Sequence, residues 1–222
     1  MGAFAARFFG YVQDADFYRD LHREAVALLP VGAGRTWFDV GCGPGLVARL
    51  AHERGYDAVG FDIDADMVRL ACRRSAAAAV GLRYVESGLD DLVVKNGRAD
   101  VVSAASLLNV LPDRRAALIQ LLDAVAPGGT LLVVETSDMM ASLRAGDRRR
   151  KLALGHRAWV LRLWARARLG TRAVDIEALC PNEYAVQRHA LLGGLVNAWL
   201  VRCEIGHDSA VPTRGQWPAA DE

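Results

Sequence analysis

The chain has 222 residues, 27 Lys+Arg against 26 Asp+Glu for a formal charge of +1, and 52% hydrophobic content. That length suits one ordinary globular domain with a full core. The near-neutral balance excludes a chain that is basic throughout and coats nucleic acid, and 24% charge with this much apolar residue excludes disorder.

The opening residues, MGAFAARFFGYVQDADFY, carry Arg7 inside the first apolar stretch and acids at Asp14 and Asp16, so no signal-peptide core is read there. Ala6 stands where a myristoylation signal needs Ser or Thr. The uncharged run Ala190 to Val201 is short of the roughly 18 residues a membrane span needs, and a cytoplasmic location is expected. Phe17 to Leu29 reads as a helix ending at Pro30, with Phe17, Leu21, Ala25 and Leu28 on one face.

Short apolar runs then alternate with helix-length segments. The runs are Thr36 to Val40, Asp57 to Phe61, Leu82 to Val85, Asp100 to Ala104 and Thr130 to Val134, each bordered by a glycine-containing turn. Between them, Leu46 to Arg54, Ala65 to Ala79 and Arg114 to Ala126 read as helices. Five strands at this spacing predict an α/β, doubly wound, Rossmann-like, mostly parallel sheet. Beyond it, Ser142 to Thr171 is Arg-rich and helical, Ala173 to Leu192 again reads as helical, and Ala198 to Ile205 reads as a sixth strand. The tail from Pro212 reads as loose. Cys42, Cys72, Cys180 and Cys203 form no CxxC pair, so they are read as scattered reduced thiols and not as a zinc ribbon or thioredoxin motif.

The sharpest local feature is Phe38-Asp39-Val40-Gly41-Cys42-Gly43-Pro44-Gly45-Leu46, where a strand runs into a helix through three alternate glycines. Glycine lets backbone approach a ligand without a Cβ in the way, and the helix that follows offers free N–H groups. A dinucleotide fingerprint needs its third glycine one place later, where Leu46 stands.

With the acid ahead of it, this loop resembles the first motif of the class I S-adenosylmethionine (SAM) dependent methyltransferases. Asp62, ending the second strand in Gly60-Phe61-Asp62-Ile63-Asp64, and the turn Ala126-Pro127-Gly128-Gly129 match the same family in order, over roughly residues 30 to 137. The resemblance implies SAM as cofactor and S-adenosylhomocysteine (SAH) as product. It implies cofactor contacts at Asp39, Gly41, Cys42, Gly43, Gly45, Asp62, Ile63, Met67, Gly88, Leu89, Asp90 and Ser103. Asp62 would take both ribose hydroxyls, since a carboxylate accepts from two adjacent donors. Ile63 would pack on adenine, with Met67 beneath it. The sequence departs from the family at Ser87-Gly88-Leu89-Asp90-Asp91, where Gly88 replaces the adenine-binding Asp; the Leu89 N–H and Asp90 are the substitutes, though Asp90 and Asp91 read equally well as solvated turn residues.

Methyl transfer from a sulfonium is an in-line displacement that rests largely on positioning, and no metal is expected. The fourth strand ends Ser103-Ala104-Ala105-Ser106, without the acids of metal-dependent relatives or the Asp/Asn-Pro-Pro-aromatic motif of nucleic-acid amino-methyltransferases. A small organic acceptor is therefore expected, and nucleic acid is not. Leu107 to Asp113 resembles the loop that follows strand four in small-molecule enzymes, with Asn109 where His is common. Asn109 would orient the acceptor, while His156 and His189 are the candidates for proton removal, against the plainer reading of surface histidines. Tyr11, Tyr18, Leu108, Glu135 and Trp159 are expected around the acceptor.

The expected organisation is an N-terminal helical cap (1–30), a SAM-binding core (31–137), a basic helical lid (138–195) and a final strand with tail (196–222). Leu152, His156, Trp159, Val160, Leu163 and Ala167 form one apolar face of the lid beside Lys151, Arg162 and Arg166. This suits a cap over a hydrophobic, anionic acceptor, or peripheral contact with acidic lipid. From Arg144 to Arg172 the local charge is +9, leaving −8 elsewhere. Rival readings are a non-catalytic SAM-binding module, an RNA methyltransferase using the basic lid and, more remotely, a thiol-dependent metalloid methyltransferase.

Overall fold

The structure, a computed structural model, describes residues 11, 13–75, 81–142 and 173–203. The five apolar runs are strands β1 (Thr36–Val40), β2 (Asp57–Asp62), β3 (Leu82–Glu86), β4 (Ala99–Ala105) and β5 (Val125–Thr136), all parallel. The inner ones read as nearly continuous apolar sequence because both of their faces are covered. Helix α1 (Asp16–Ala27) precedes the sheet, and α2 (Leu46–Glu53), α3 (Ala65–Arg74), α4 (Leu89–Asn96) and α5 (Arg114–Asp123) make the crossovers. Asp64 and Asp113 start α3 and α5 as N-caps, accepting the N–H groups of Asp66 and Ala116 at 2.9 Å each.

Helix α4 is not among the expected helices; its first residues read equally as an adenine contact or a solvated turn. Asp90 and Asp91 occupy its first turn, where the helix dipole favours acids, and Leu92 is buried beneath it. Strand β5 is longer than expected at both ends: it includes the Pro127-Gly-Gly turn, where its register against β4 shifts between Ala99↔Val125 and Val101↔Thr130.

The helix expected over Ala173–Leu192 is not formed. Instead α6 (Asp138–Ser142) follows β5, and a single turn α7 (Ile176–Leu179) precedes strand β6 (Tyr184–Leu191). Pro181 cannot continue a helix, and the segment beyond it pairs antiparallel with β7 (Val196–Cys203) through a turn in which Gly193 and Gly194 have φ of 63° and 86°. The strand expected sixth is therefore the seventh, running antiparallel beside β5, and the expected lid gives up residues 184–191 to the sheet. Residues 143–172, with His156 and Trp159, lie outside the described residues.

The sheet order is β3-β2-β1-β4-β5-β7-β6. The chain winds outward from β1 to β3, then returns to the other side of β1 as β4. That reversal opens a crevice beyond the carboxyl ends of β1 and β4, where doubly wound sheets bind ligands. One face packs α1 and α2 on Trp37, Val101 and Leu132, and the other packs α5 on Phe38, Val102 and Leu131. Alternation along β1 thus turns Trp37 and Asp39 to the first face and Phe38 and Val40 to the second.

Candidate cofactor and acceptor site

Gly41, Gly43 and Gly45 carry β1 into α2 with φ of 68°, 51° and 78°, a left-handed run that L side chains resist. Their surroundings differ. A Cβ on Gly41 would stand 2.8 Å from Leu107 Cδ1, and one on Gly45 would stand 2.6 Å from Tyr84 Oη. At Gly43 the space is open: among the described residues only Gln13 Nε2, 3.9 Å away, approaches such a Cβ. The loop is wedged from below and free above.

The wedge is Tyr84 on β3, which the sequence reading did not single out. Its hydroxyl donates to the Gly45 carbonyl at 3.2 Å and pairs with Ser75 Oγ at 2.9 Å, and its ring lies over Gly60, where a Cβ would come within 2.5 Å of Cδ1. A glycine inside a strand marks such a close approach, so Gly60 was the available signal.

Asp39 and Ser103, expected at the cofactor, form an internal brace below it. Trp37 Nε1 donates to Ser103 Oγ, which donates to Asp39 Oδ1, both at 2.8 Å, and Asp39 Oδ2 accepts the Ala48 N–H at 3.1 Å. Asp39 is 1% exposed, and burial pushes its carboxyl up to about 7, against the opposing hydrogen bonds from Ser103 and Ala48. The Cys42 thiol is buried under the loop, where burial raises it well above its ordinary value.

Asp62 stands at the rim. Its Oδ2 accepts the Gly43 N–H at 2.8 Å and its Oδ1 the Asp64 N–H at 2.9 Å, so each oxygen keeps a lone pair for a further donor. Partial burial raises its carboxyl from the ordinary value. The neighbouring Ile63 is 80% exposed although apolar, and its Cδ1 faces Gly88, 3.9 Å from where a Cβ would stand. Glycine instead of Asp at 88 thus widens the slot lined by Ile63. Leu89 opens α4 at that slot, Met67 is buried below in α3, and Asp90 accepts from Gln120 on α5 at 2.7 Å. Open space over Gly43, a two-oxygen acceptor and an exposed aliphatic wall fit the S-adenosyl group that the resemblance implies.

Across the crevice, β4 leaves the sheet through Ser106, in left-handed conformation at φ 60°, which lays Leu107 against Gly41. Asn109 follows in a short 3-10 turn (Leu108–Val110). It is 5% exposed; its backbone N–H and Nδ2 donate to the two oxygens of the fully buried Glu135 at 3.3 and 2.5 Å, and its Oδ1 has no hydrogen-bond partner among the described residues. The carboxylate therefore fixes which end of the amide is an acceptor. Leu108 is fully buried in the core. Tyr18 is buried too, its ring 4.3 Å from that of His22, whose Nδ1 lies 2.8 Å from the Tyr18 carbonyl oxygen. Burial lowers His22 to about 4. Tyr11 is 43% exposed. His189 sits on the edge strand β6, in register with Ala198, four strands from β1 and hence about 19 Å across the sheet. The structure brings Asn109 and Glu135 together at the crevice but does not bring His189 to the glycine loop.

Residues 38–133 match a family model described as "Methyltransferase domain". An uncharacterized methyltransferase of Mycobacterium tuberculosis is 36% identical over 136 residues, 60% of this chain and 66% of that protein, so the chain spans just under two thirds of this relative. A ubiquinone biosynthesis O-methyltransferase of Cronobacter sakazakii is 29% identical over 97 residues, covering 43% of this chain and 40% of the relative. Among solved structures, the N-methyltransferase NodS from Bradyrhizobium japonicum in complex with SAH superposes with a TM-score of 0.59 at 16% identity, covering 87% of this chain and 91% of NodS. The plantazolicin methyltransferase BpumL in complex with SAH gives 0.63 at 12% identity, covering 89% of each chain. These two share the fold, and the sequence match over residues 38–133 is to a methyltransferase domain, in agreement with the class I SAM-dependent family that the glycine loop and Asp62 resemble.

Proposed function

We propose that the chain is an enzyme transferring the sulfonium methyl of SAM to O, N or C of a small organic acceptor, by in-line displacement, without a metal ion and in the cytoplasm. The observation that carries this reading is Asp62, hydrogen-bonded to the middle glycine of the loop with a lone pair left on each oxygen. Bound SAM supplies an activated methyl group on a cationic sulfur. The chain's part is placement: Asp62 holds the ribose, Ile63 and Gly88 bound the adenine, and the open face of Gly43 admits the rest of the cofactor. Asn109 receives the acceptor, and Glu135 keeps its amide oxygen free to take a hydrogen bond from it. Relatives named ubiquinone biosynthesis O-methyltransferases support a small organic acceptor. His156 and Trp159 remain candidates for proton removal and acceptor contact from the basic segment.

Incubation with methyl-labelled SAM and a whole-cell extract, with and without EDTA, tests this. The expected outcome is a labelled low-molecular-weight product whose yield EDTA does not change. Label found only in RNA or protein would contradict the acceptor class, and loss with EDTA would contradict metal independence.

A further inference from the structure

A S-adenosyl cofactor carries three kinds of hydrogen-bond donor: the adenine amino group, the ribose hydroxyls and the α-ammonium of its amino-acid end. With the ribose on Asp62 and adenine at Ile63, the ammonium needs an acceptor near the loop. Asp39 has the right charge, but it is 1% exposed and turned into the brace with Ser103 and Ala48, out of reach of a ligand on the loop.

Gln13 is the acceptor in the right place. Its Nε2 lies 3.9 Å from where a Gly43 Cβ would stand, and the Oε1 of the same amide is buried with no hydrogen-bond partner among the described residues. Buried side-chain oxygens rarely stay unpaired, so an orphan above a ligand loop calls for a donor. The segment that carries it is held from two directions. Asp14 makes a two-pronged ion pair with Arg74 at the end of α3, at 3.0 and 2.9 Å. Phe17 and Tyr18, opening α1, belong to the same core as Leu46 and Val47 of α2.

We propose that Gln13 is a cofactor ligand whose Oε1 accepts a hydrogen bond from the α-ammonium group of SAM or SAH, with the Asp14–Arg74 pair as its positioning contact. The proposal rests on the methyltransferase reading and adds the contact for the amino-acid end.

Calorimetric titration of the full chain with SAH and with 5′-methylthioadenosine, which has adenine and ribose but no amino-acid end, tests it. Gln13→Ala and the volume-conserving Gln13→Met should each weaken SAH about tenfold or more, the size of a hydrogen bond to a charged group, and leave methylthioadenosine within about twofold. Gln13→Glu should keep SAH affinity within about threefold, because a carboxylate also accepts from an ammonium. Asp14→Asn should weaken SAH to a smaller extent and spare methylthioadenosine. Unchanged SAH affinity in both Gln13→Ala and Gln13→Met would overturn the proposal, as would equal losses for the two ligands, which would place Gln13 at the ribose or in the scaffold. Failure of the wild-type chain to bind either ligand would instead overturn the methyltransferase reading, and this contact with it.

Discussion

Glycine does two different jobs in and beside the loop. At Gly43 the missing Cβ leaves room for a ligand, whereas at Gly45 and Gly60 it leaves room for the Tyr84 ring. A methyl group at Gly60 collides with a ring held by Gly45 and Ser75, so Gly60→Ala should cost about 1–3 kcal/mol, the usual range for overpacking. In a Tyr84→Ala background the same substitution should cost less than half as much. Urea unfolding of the four proteins measures the coupling; equal costs in both backgrounds would contradict the wedge. The loop glycines were legible in sequence because their spacing is a motif. Tyr84 was not, because its partners are about 9, 24 and 39 residues away and meet only when β3 pairs with β2.

Among the elements, the parallel strands and most crossover helices were legible from apolar runs, caps and turns. The region after β5 was not. Residues 184–191 have alternating exposure and few breakers, a pattern that helix and strand share over short lengths; pairing with β7 decides it. The site shows the same limit. Asp39 was recognised as a motif residue, yet only the register of β1 with β4 reveals that it faces Ser103 and locks two strands to α2. That brace has a pH signature. The Asp39 carboxyl rises from 3.8 to about 7 in the fold, so its stability contribution is full below pH 3.8 and is lost as pH rises through 7. His22 shifts the other way, from 6.5 down to about 4; its contribution is present above pH 6.5 and is lost as pH falls through 4. The two oppose each other between about pH 4 and 6.5. Asp39→Asn should remove the alkaline-side loss and His22→Gln the acid-side loss, read from urea midpoints across pH 4 to 8. A variant with the wild-type pH profile would show that its residue is not the titrating group.

For the molecule as a whole, the topological reversal between β1 and β4 brings together a loop, a carboxylate and an amide that lie 43 to 109 in the chain. No described helix is long and apolar enough to cross a membrane. The formal charge of +1 divides into a +9 segment from Arg144 to Arg172, outside the described residues, and −8 over the remainder. Within that remainder, residues 31–137 carry 11 Lys+Arg and 13 Asp+Glu, a net of −2, so the basic segment stands against a nearly neutral core whose key acid is Asp62. Isothermal titration of SAH into wild type and Asp62→Ala tests the role of that acid directly. One-to-one binding by wild type and a loss of at least about a hundredfold in the variant are expected, the equivalent of two hydrogen bonds to a charged group. Equal affinity in the two proteins, or no binding by wild type at millimolar SAH, would contradict that role.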